Sequence, residues 1–140
     1  MGAIKITSAD AWFSKCVRER SAWCCERCRT YYPEGEARKG IHCSHFFGRG
    51  KWSTRFHPDN GTALCHGCHR YFSSHPSLHQ QFQEYKLGPY LFAALQEAAN
   101  DLTKGRQAKR EIKLITAHYK AEYARMQSLR ADGDIGRIEF

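Results

Sequence analysis

Two C-x-x-C pairs constrain the fold of this chain more than any other feature of its sequence. They are Cys25/Cys28 and Cys65/Cys68. Four thiolates with this spacing can hold one zinc ion in a closed tetrahedral site, which leaves no position for water. A segment this small buries too little apolar surface to fold without a metal or disulfides. The sequence therefore predicts a structural zinc site that joins the two ends of the segment between the pairs.

The remaining cysteines and the N-terminus indicate the compartment in which the chain folds. It has 140 residues and seven cysteines, and its first residues, MGAIKITSADAW, lack the apolar segment of a secretory signal. No apolar run approaches the roughly 20 residues that span a bilayer. We therefore expect a reducing, intracellular compartment, the cytoplasm, where thiolates bind metal. A secreted domain with disulfide bonds is the alternative.

The formal net charge of +8 is unevenly distributed, because most of the excess of Lys and Arg lies in residues 1–75. A basic surface around a polar metal site favours a polyanion as partner. Many basic proteins bind no nucleic acid, so charge alone does not separate a nucleic-acid-binding protein from any other basic protein.

A strand, a loop, a second strand and a helix are predicted between and after the cysteine pairs. The β-prone run IHCSHFF predicts a strand over 41–47, and PDNG at 58–61 is a strong turn signal. A return strand over 62–64 leads into a helix that begins with the second pair, at 65–73. Pro and Gly predict a loop over 33–40. This order gives a zinc-stapled ββα unit.

Helices are predicted on both sides of this unit. An N-terminal helix over 8–22 would be capped by Ser8 or Asp10. After the ββα unit the sequence shows helical periodicity that is interrupted twice, and it ends in a loose tail. The predicted helices span 76–86, 89–103 and 108–130, the breaks fall at Gly88-Pro89 and Gly105, and the tail covers 131–140.

The fold class that follows is α+β, a small zinc-stapled core with mostly α-helical extensions at both ends. Its predicted parts are an N-terminal helix (1–22), the zinc-stapled core (23–75) and a helical C-terminal extension (76–140). In the longest helix, apolar residues recur at steps of three and four, which is typical of a core face or of a dimer seam. These residues are Ile112, Ile115, Tyr119, Tyr123 and Met126.

Three polar residues in and after this segment carry the candidate chemistry: His45, Asn60 and His69. Phosphodiester hydrolysis needs an attacking water, neutralisation of phosphoryl charge and help for the departing 3′-oxygen. Histidine suits the first task at neutral pH, and a divalent cation suits the other two. We interpret His45 as the general base and His69 as a ligand of the cation. Asn60 either hydrogen-bonds the backbone near His45 or ligates the cation through its carboxamide oxygen. Considered singly, each of the three is better explained as a surface group or a neighbour of the zinc site, but their order within the cysteine frame favours catalysis.

The loop between the two strands is basic and holds one tryptophan. Arg49, Lys51 and Arg55 are predicted to neutralise phosphates, and Arg55 is a candidate to stabilise the pentacovalent transition state. Trp52 is predicted either to stack on an exposed base or to cap the zinc unit. Solvated loop charges without a ligand are the plainer alternative.

The chain resembles the HNH (ββα-metal) nuclease superfamily in three short runs. They are His42-Cys43-Ser44-His45-Phe46-Phe47, Pro58-Asp59-Asn60 and Leu64-Cys65-x-x-Cys68-His69. Within the superfamily, the segment is similar to phage recombination endonucleases of the lambda NinG/Rap type. The resemblance covers residues 20–75 well and the rest of the chain loosely.

The resemblance implies a metal-dependent DNA endonuclease in which His45 activates water, Asn60 fixes the loop and His69 binds the catalytic cation. That cation would be Mg²⁺ or another divalent ion, in addition to the structural Zn²⁺. Products with 5′-phosphate and 3′-hydroxyl ends, a role in phage DNA recombination or replication, and branched DNA as substrate are also implied. The sequence departs from the family at Ser44, where many members carry a metal-binding acidic residue or histidine. Either His42 supplies that contact or water does.

Two other functions stay open on the sequence alone. One is a zinc-dependent DNA-binding module without catalysis, and the other is a scaffold whose long helix recruits a nuclease or packaging complex. A homodimer through the helix at 108–130 would place two sites on opposite strands, which suits the cutting of junctions. No membrane partner is expected.

Overall fold

The computed structural model describes residues 3–34 and 40–140, and its first element is helix α1, Ser8–Arg20. A capping box starts this helix, because the Thr7 hydroxyl accepts from the Asp10 N–H at 3.3 Å and the Asp10 carboxylate accepts from the Thr7 N–H at 2.8 Å. The N-cap is therefore Thr7, and the prediction that Ser8 or Asp10 is the cap was wrong, although Asp10 takes part in the capping box. The helix ends before residue 22, since Ala22 adopts a φ of 54°.

A two-stranded antiparallel sheet forms the centre of the predicted ββα unit. Strand β1, Ile41–His45, pairs with strand β2, Gly61–Cys65, so that Ile41 lies opposite Cys65 and His45 lies opposite Gly61. The predicted strand over 41–47 is thus two residues too long at its end. The α+β class, with helices around a two-stranded antiparallel sheet, is confirmed.

The connection between the strands contains more regular structure than the sequence indicated. A short helix α2, Trp52–Arg55, lies inside the segment predicted as a basic loop, and the predicted turn is a single 3-10 turn, Pro58–Asn60. Helix α3, His66–Ser74, follows β2 directly, as predicted for the helix that begins with the second C-x-x-C pair. We call each pair with its turn a zinc knuckle, the first at Cys25/Cys28 and the second at Cys65/Cys68. Residues 35–39 of the predicted loop over 33–40 lie outside the described residues.

Three helices follow: α4, Pro76–Ala99, α5, Leu102–Arg110, and α6, Ile112–Ala131. Gly88, with a φ of 79°, breaks α4 just before Pro89, as predicted. The break predicted at Gly105 was wrong, because this glycine lies inside α5. The chain breaks instead at Asp101, whose side chain caps α5 by accepting from the Lys104 N–H at 3.1 Å. In the part of the chain that the structure describes, no helix combines the length and apolar composition needed to cross a membrane.

The core lies where α1 packs between the hairpin and α6. Phe13 is fully buried, and its ring centroid lies 5.2 Å from that of Tyr119 and 6.2 Å from that of Phe56. At Gly61 the contact with α1 is so close that an added Cβ would lie 2.8 Å from a methyl group of Val17. The apolar stripe of α6, to which Tyr119 belongs, therefore packs within the chain as core. The predicted homodimer depended on this stripe alone, and it stays a prediction.

The C-terminal tail was predicted to be loose, and this prediction was wrong. Ile138 is buried, and its N–H donates to the Arg20 carbonyl at 3.2 Å. The Phe140 ring lies 6.0 Å from the Phe13 ring, and Arg137 pairs with the buried carboxylate of Glu26 at 3.1 Å. Partners far away in sequence hold the tail, so its polar composition did not indicate its packing.

Candidate metal centre and catalytic cleft

The sulfur atoms of Cys25, Cys28, Cys65 and Cys68 lie within 4.8 Å of one another. A tetrahedral site with Zn–S bonds of about 2.3 Å places its sulfurs about 3.8 Å apart. The distance between the Cys28 and Cys65 sulfurs is 3.8 Å. The predicted four-cysteine cluster is confirmed, and its geometry fits a zinc ion in a closed structural site.

Backbone geometry prepares both knuckles for a metal. The N–H of Cys28 donates to the Cys25 sulfur, and the N–H of Cys68 donates to the Cys65 sulfur, each at 3.5 Å. The first knuckle closes at Arg29, whose N–H donates to the Cys25 carbonyl at 2.8 Å and whose own φ of 66° turns the chain that follows. In the second knuckle, Cys65 caps α3. Amide hydrogen bonds to sulfur favour the thiolate form that a metal requires.

Cys28 and Cys68 differ in acidity before a metal binds. A hydrogen bond with Thr30 lowers the pKa of Cys28 to about 6, whereas burial raises the pKa of Cys68 to about 12. A divalent cation deprotonates the thiols that coordinate it, whatever their starting acidity. Metal binding is therefore coupled to proton release from the thiols that are protonated at neutral pH, Cys25 and Cys68 among them.

The two faces of the hairpin carry different functional side chains. His45 lies on the face covered by α1, where its ring centroid is 5.7 Å from that of Phe13. His42 lies on the opposite face, where its ring is 5.7 Å from that of His69 in the first turns of α3. The structure therefore brings His69 together with His42, and it does not place the His45 ring against either of them.

A polar cleft of about 590 Å³ opens beside β1. Arg18 of α1, Arg49 of the connecting loop, His42 of β1 and His69 of α3 all contribute to its walls, together with the carboxylate-bearing Glu34. Burial and the neighbouring imidazoles lower the pKa values of His42 and His69, so both rings are neutral at pH 7. The cleft thus combines two guanidinium groups, which suit phosphate, with two neutral imidazoles, which suit a cation.

His45 is a neutral histidine with an unused nitrogen. Burial, and secondarily the charge of Arg49, lowers its pKa to about 4. Its Nε2 is buried and has no hydrogen-bond partner among the described residues. The charge of Arg49 also lowers the pKa of His69, so this arginine lies near both histidines. A neutral imidazole with an unpaired nitrogen can accept a proton.

Asn60 braces the chain just after His45. Its carboxamide oxygen accepts from the Phe47 N–H at 2.8 Å, and its amide nitrogen donates to the Phe47 carbonyl at 2.9 Å. The backbone of Asn60 also accepts from the Phe46 N–H at 2.9 Å. Of the two roles considered for the completely buried Asn60, these contacts match the one that fixes the loop. The alternative role as a metal ligand would require the oxygen to leave Phe47.

Arg55 occupies a different place from the one predicted. It is 2% exposed, and its guanidinium makes a two-pronged contact with the Asp10 carboxylate at 3.0 and 2.7 Å. Hydrogen bonds from Arg55 and Thr7 hold the pKa of Asp10 below its usual value, although burial acts in the opposite direction. The assignment of Arg55 to phosphate contact and transition-state stabilisation is corrected, because a buried, paired guanidinium is structural.

The other residues of the loop divide between surface and packing. Lys51 is exposed and Arg49 is 31% exposed, so both can reach a phosphate. The Arg55 guanidinium lies over the Trp52 ring, 4.4 Å from the centroid of that ring. The centroids of the Trp52 and Phe56 rings are 5.9 Å apart. Neither of the roles predicted for Trp52, stacking on a base or capping the zinc unit, describes this position between α2 and α5.

A second basic surface was not foreseen from the sequence. Five exposed cations lie within ten residues of α5 and the start of α6; we call them the α5 ridge. A small cleft of about 240 Å³ between α5 and the loop is lined by Lys51 together with two members of the ridge. The ridge consists of Lys104, Arg106, Lys109, Arg110 and Lys113. The net charge of residues 76–140 does not reveal the ridge, because acidic residues in this half offset most of its positive charge.

Comparisons with known proteins returned no relative. The chain matches no family model, and no curated protein or solved structure matches it.

Proposed function

We propose that this protein is a metal-dependent DNA endonuclease of the HNH type, which hydrolyses phosphodiester bonds. The observation that carries the proposal is the cleft beside β1, in which Arg18 and Arg49 face His42 and His69. A phosphate would be held by the two guanidinium groups, and the attacking water would be activated by a neutral histidine nearby. The ββα order and the cysteine cluster support the same proposal through the resemblance described above.

In this mechanism His45 removes a proton from the attacking water. Its lowered pKa keeps the ring neutral at pH 7, and its free Nε2 supplies the lone pair. His45 lies on the α1 face of β1 and is not among the residues that line the cleft, so DNA binding must open a path for water to its buried Nε2. Asn60 keeps the following backbone in place, which fixes the position of His45 relative to the cleft.

His69 and His42 are the residues that would hold the catalytic cation. Neutral imidazoles are suitable donors, and the two rings lie on one face within 5.7 Å of each other. The bound cation would neutralise charge on the phosphoryl oxygens and assist the leaving 3′-oxygen. Ser44, at the position where the family often has a ligand, is 2% exposed on the same side of the strand as His42. His42 is therefore the better candidate for the missing contact.

The biological setting follows from the resemblance only. Phage recombination or replication and branched DNA substrates remain part of the proposal, since side chains that contact phosphates carry no information about branching. The competing proposal is a zinc-dependent DNA-binding module or scaffold. The nuclease is favoured because a pure binder needs none of His45, Asn60 and His69.

Cleavage of DNA in the presence of a divalent cation tests the proposal. We expect the zinc-loaded protein to nick supercoiled plasmid with Mg²⁺, Mn²⁺ or Ni²⁺, and to release ends that carry 5′-phosphate. Junction, flap and plain duplex should be compared side by side at equal concentration. DNA binding without cleavage under every cation would support the binding module and overturn the nuclease.

The α5 ridge should contribute to DNA affinity through phosphates. We expect the double variant Lys109→Gln/Arg110→Gln to weaken binding of duplex regardless of its sequence. It should also lower the slope of log K against log salt by about 1.8, because each phosphate contact contributes about 0.9. Fluorescence anisotropy at several salt concentrations measures both quantities.

The matched control removes two other exposed charges, in the variant Lys5→Gln/Lys120→Gln. Its salt slope should equal that of the unmodified protein. Equal slopes for all three proteins would show that DNA does not contact the ridge.

A further inference from the structure

An apolar pocket of about 410 Å³ lies between the loop around α2 and the helices α5 and α6. Among the described residues, none lines both this pocket and the cleft beside β1, so the two are separate sites. The buried Phe56 and Tyr119 line the pocket together with Leu114, which is 68% exposed. Ligand pockets typically measure about 300–1,000 Å³ and are lined mainly by apolar and aromatic side chains. The pocket therefore has the size and the lining to take a small group with an apolar surface.

Cations of the α5 ridge lie beside this pocket. Trp52 and Ser53 line both the pocket and the small cleft that Arg106 and Lys109 also line. The Lys109 ammonium lies over this shared wall, 5.6 Å from the Trp52 ring centroid. A ligand in the pocket thus has cations within reach of any negative charge attached to it.

His57 gives the pocket a hydrogen-bond donor of defined position. Its Nδ1 accepts from the Asp59 N–H at 3.1 Å, so a neutral ring carries its proton on Nε2. Burial lowers the pKa of His57, the charge of Asp59 opposes this change, and the charge of Lys104, another member of the ridge, adds to it. The ring is therefore neutral at pH 7, and Lys104 lies close enough to act on it. An acceptor atom at the edge of a ligand can bind to the Nε2–H group.

We infer that the pocket binds the base of an unpaired nucleotide, while the phosphates next to that base lie along the α5 ridge. A nucleobase has an apolar face, which Leu114 and Phe56 would contact, and acceptor atoms at its edge, which suit His57. The bases of an intact duplex are stacked on one another, so only a base that has left the stack can enter.

Charge favours a nucleotide over the other ligands that an apolar pocket can take. A second copy of this chain would bring a molecule with a net charge of +8 towards the ridge, and the like charges would repel each other. An uncharged apolar ligand would leave the ridge unused. The inference rests on the proposed function only in taking DNA as the partner of the ridge. It adds a preference for unpaired strands, which phosphate contacts cannot give.

Fluorescence anisotropy of the zinc-loaded protein tests the inference with a labelled oligothymidylate and a labelled duplex of the same length. We expect Leu114→Gln to weaken binding of the oligothymidylate at least about fivefold, the lower end of what one stacked base contributes, and to leave binding of the duplex unchanged. Ala108→Phe, which fills the pocket from α5, should have the same effect. The matched control, Leu91→Gln, makes the same replacement at an exposed position of α4 outside the pocket, and it should bind both DNAs like the unmodified protein.

A photochemical cross-link locates the base directly. Oligothymidylate that carries one 5-iododeoxyuridine, irradiated in its complex with the unmodified protein, should become joined to a peptide that contains Phe56, His57 or Tyr119. Because this experiment needs no variant, it decides the question even where a variant fails to fold. Cross-links found only in other peptides would overturn the inference, as would an equal loss of affinity for both DNAs, or no loss, in folded Leu114→Gln. Selective loss of single-strand binding in a protein that cuts no DNA would uphold the pocket and reject the nuclease.

Discussion

Chelation of zinc is expected to abolish the cooperative unfolding transition of this protein. Structural zinc sites contribute about 10–16 kcal/mol of apparent binding free energy, which is as large as the whole stability of most domains. The cluster also joins the first knuckle to β2 and to the start of α3. The first knuckle reaches β2 through Glu26, whose N–H donates to the Ala63 carbonyl at 2.8 Å and whose carboxylate accepts from the Ala63 N–H at 2.6 Å.

The substitution Cys28→Ser provides the sharpest version of this experiment. Cys28 is exposed, so replacing its sulfur by oxygen would cost little if the side chain only faced solvent. We expect loss of bound zinc and loss of the thermal transition followed by circular dichroism. Cys24→Ser is the matched control, because Cys24 is adjacent in sequence to the cluster and outside it. If both variants retain one zinc and melt at the same temperature, the cysteine cluster is not a structural metal site.

The parts of the fold that could be predicted from the sequence are those set by local chemistry. The C-x-x-C spacing fixes a knuckle over four residues, and the PDNG run forms a turn directly before the second strand. Gly88-Pro89 breaks a helix wherever it occurs, since proline lacks an N–H and disfavours a helical residue before it. These features require only neighbours in sequence, and the structure has them where they were predicted.

The features that were missed depend on partners distant in sequence. Arg55 was interpreted as a phosphate ligand because it lies in a basic loop, but Asp10 pairs with it from α1. The tail was interpreted as loose because it is polar, but the Arg20 carbonyl and the Phe13 ring hold it. A charge or an apolar residue in a sequence does not indicate whether its partner lies nearby in space.

The candidate site shows the same division. Asn60 braces the Phe47 backbone, as its predicted loop-fixing role requires, whereas His45 lies on the α1 face of its strand and not beside His69. His42 was predicted beside His69 only as one of two alternatives, and the approach of His66 to His42 was not predicted, because it depends on how α3 lies across the hairpin. A signal was nonetheless present in the sequence: His66 and His69 stand three apart at a helix start, and His42 faces away from the α1 side of its strand.

Replacement of His45 by alanine is expected to reduce DNA cleavage by about 10²–10⁴-fold, which is the usual contribution of a general base. Binding of the same DNA should be unchanged, because Arg18, Arg49 and the α5 ridge remain. His45 packs against Phe13, so His45→Gln is the companion variant that keeps volume and a polar end. His118→Ala, which alters an exposed histidine of α6, should cut like the unmodified protein.

The pH profile distinguishes a base in this environment from an ordinary histidine. A folded-state pKa of about 4 means that His45 stays neutral as the pH falls through 6. Protonation of His45 removes activity only as the pH approaches this lowered pKa. An unperturbed histidine, with a pKa of about 6.5, would already be mostly protonated at pH 6. We therefore expect kcat/KM to hold between pH 7 and 6 under saturating cation, with the acid limb at lower pH. Cleavage by His45→Ala at the rate of the unmodified protein would remove His45 from the mechanism, and an acid limb centred near 6.5 would show that the base is a solvated histidine elsewhere in the chain.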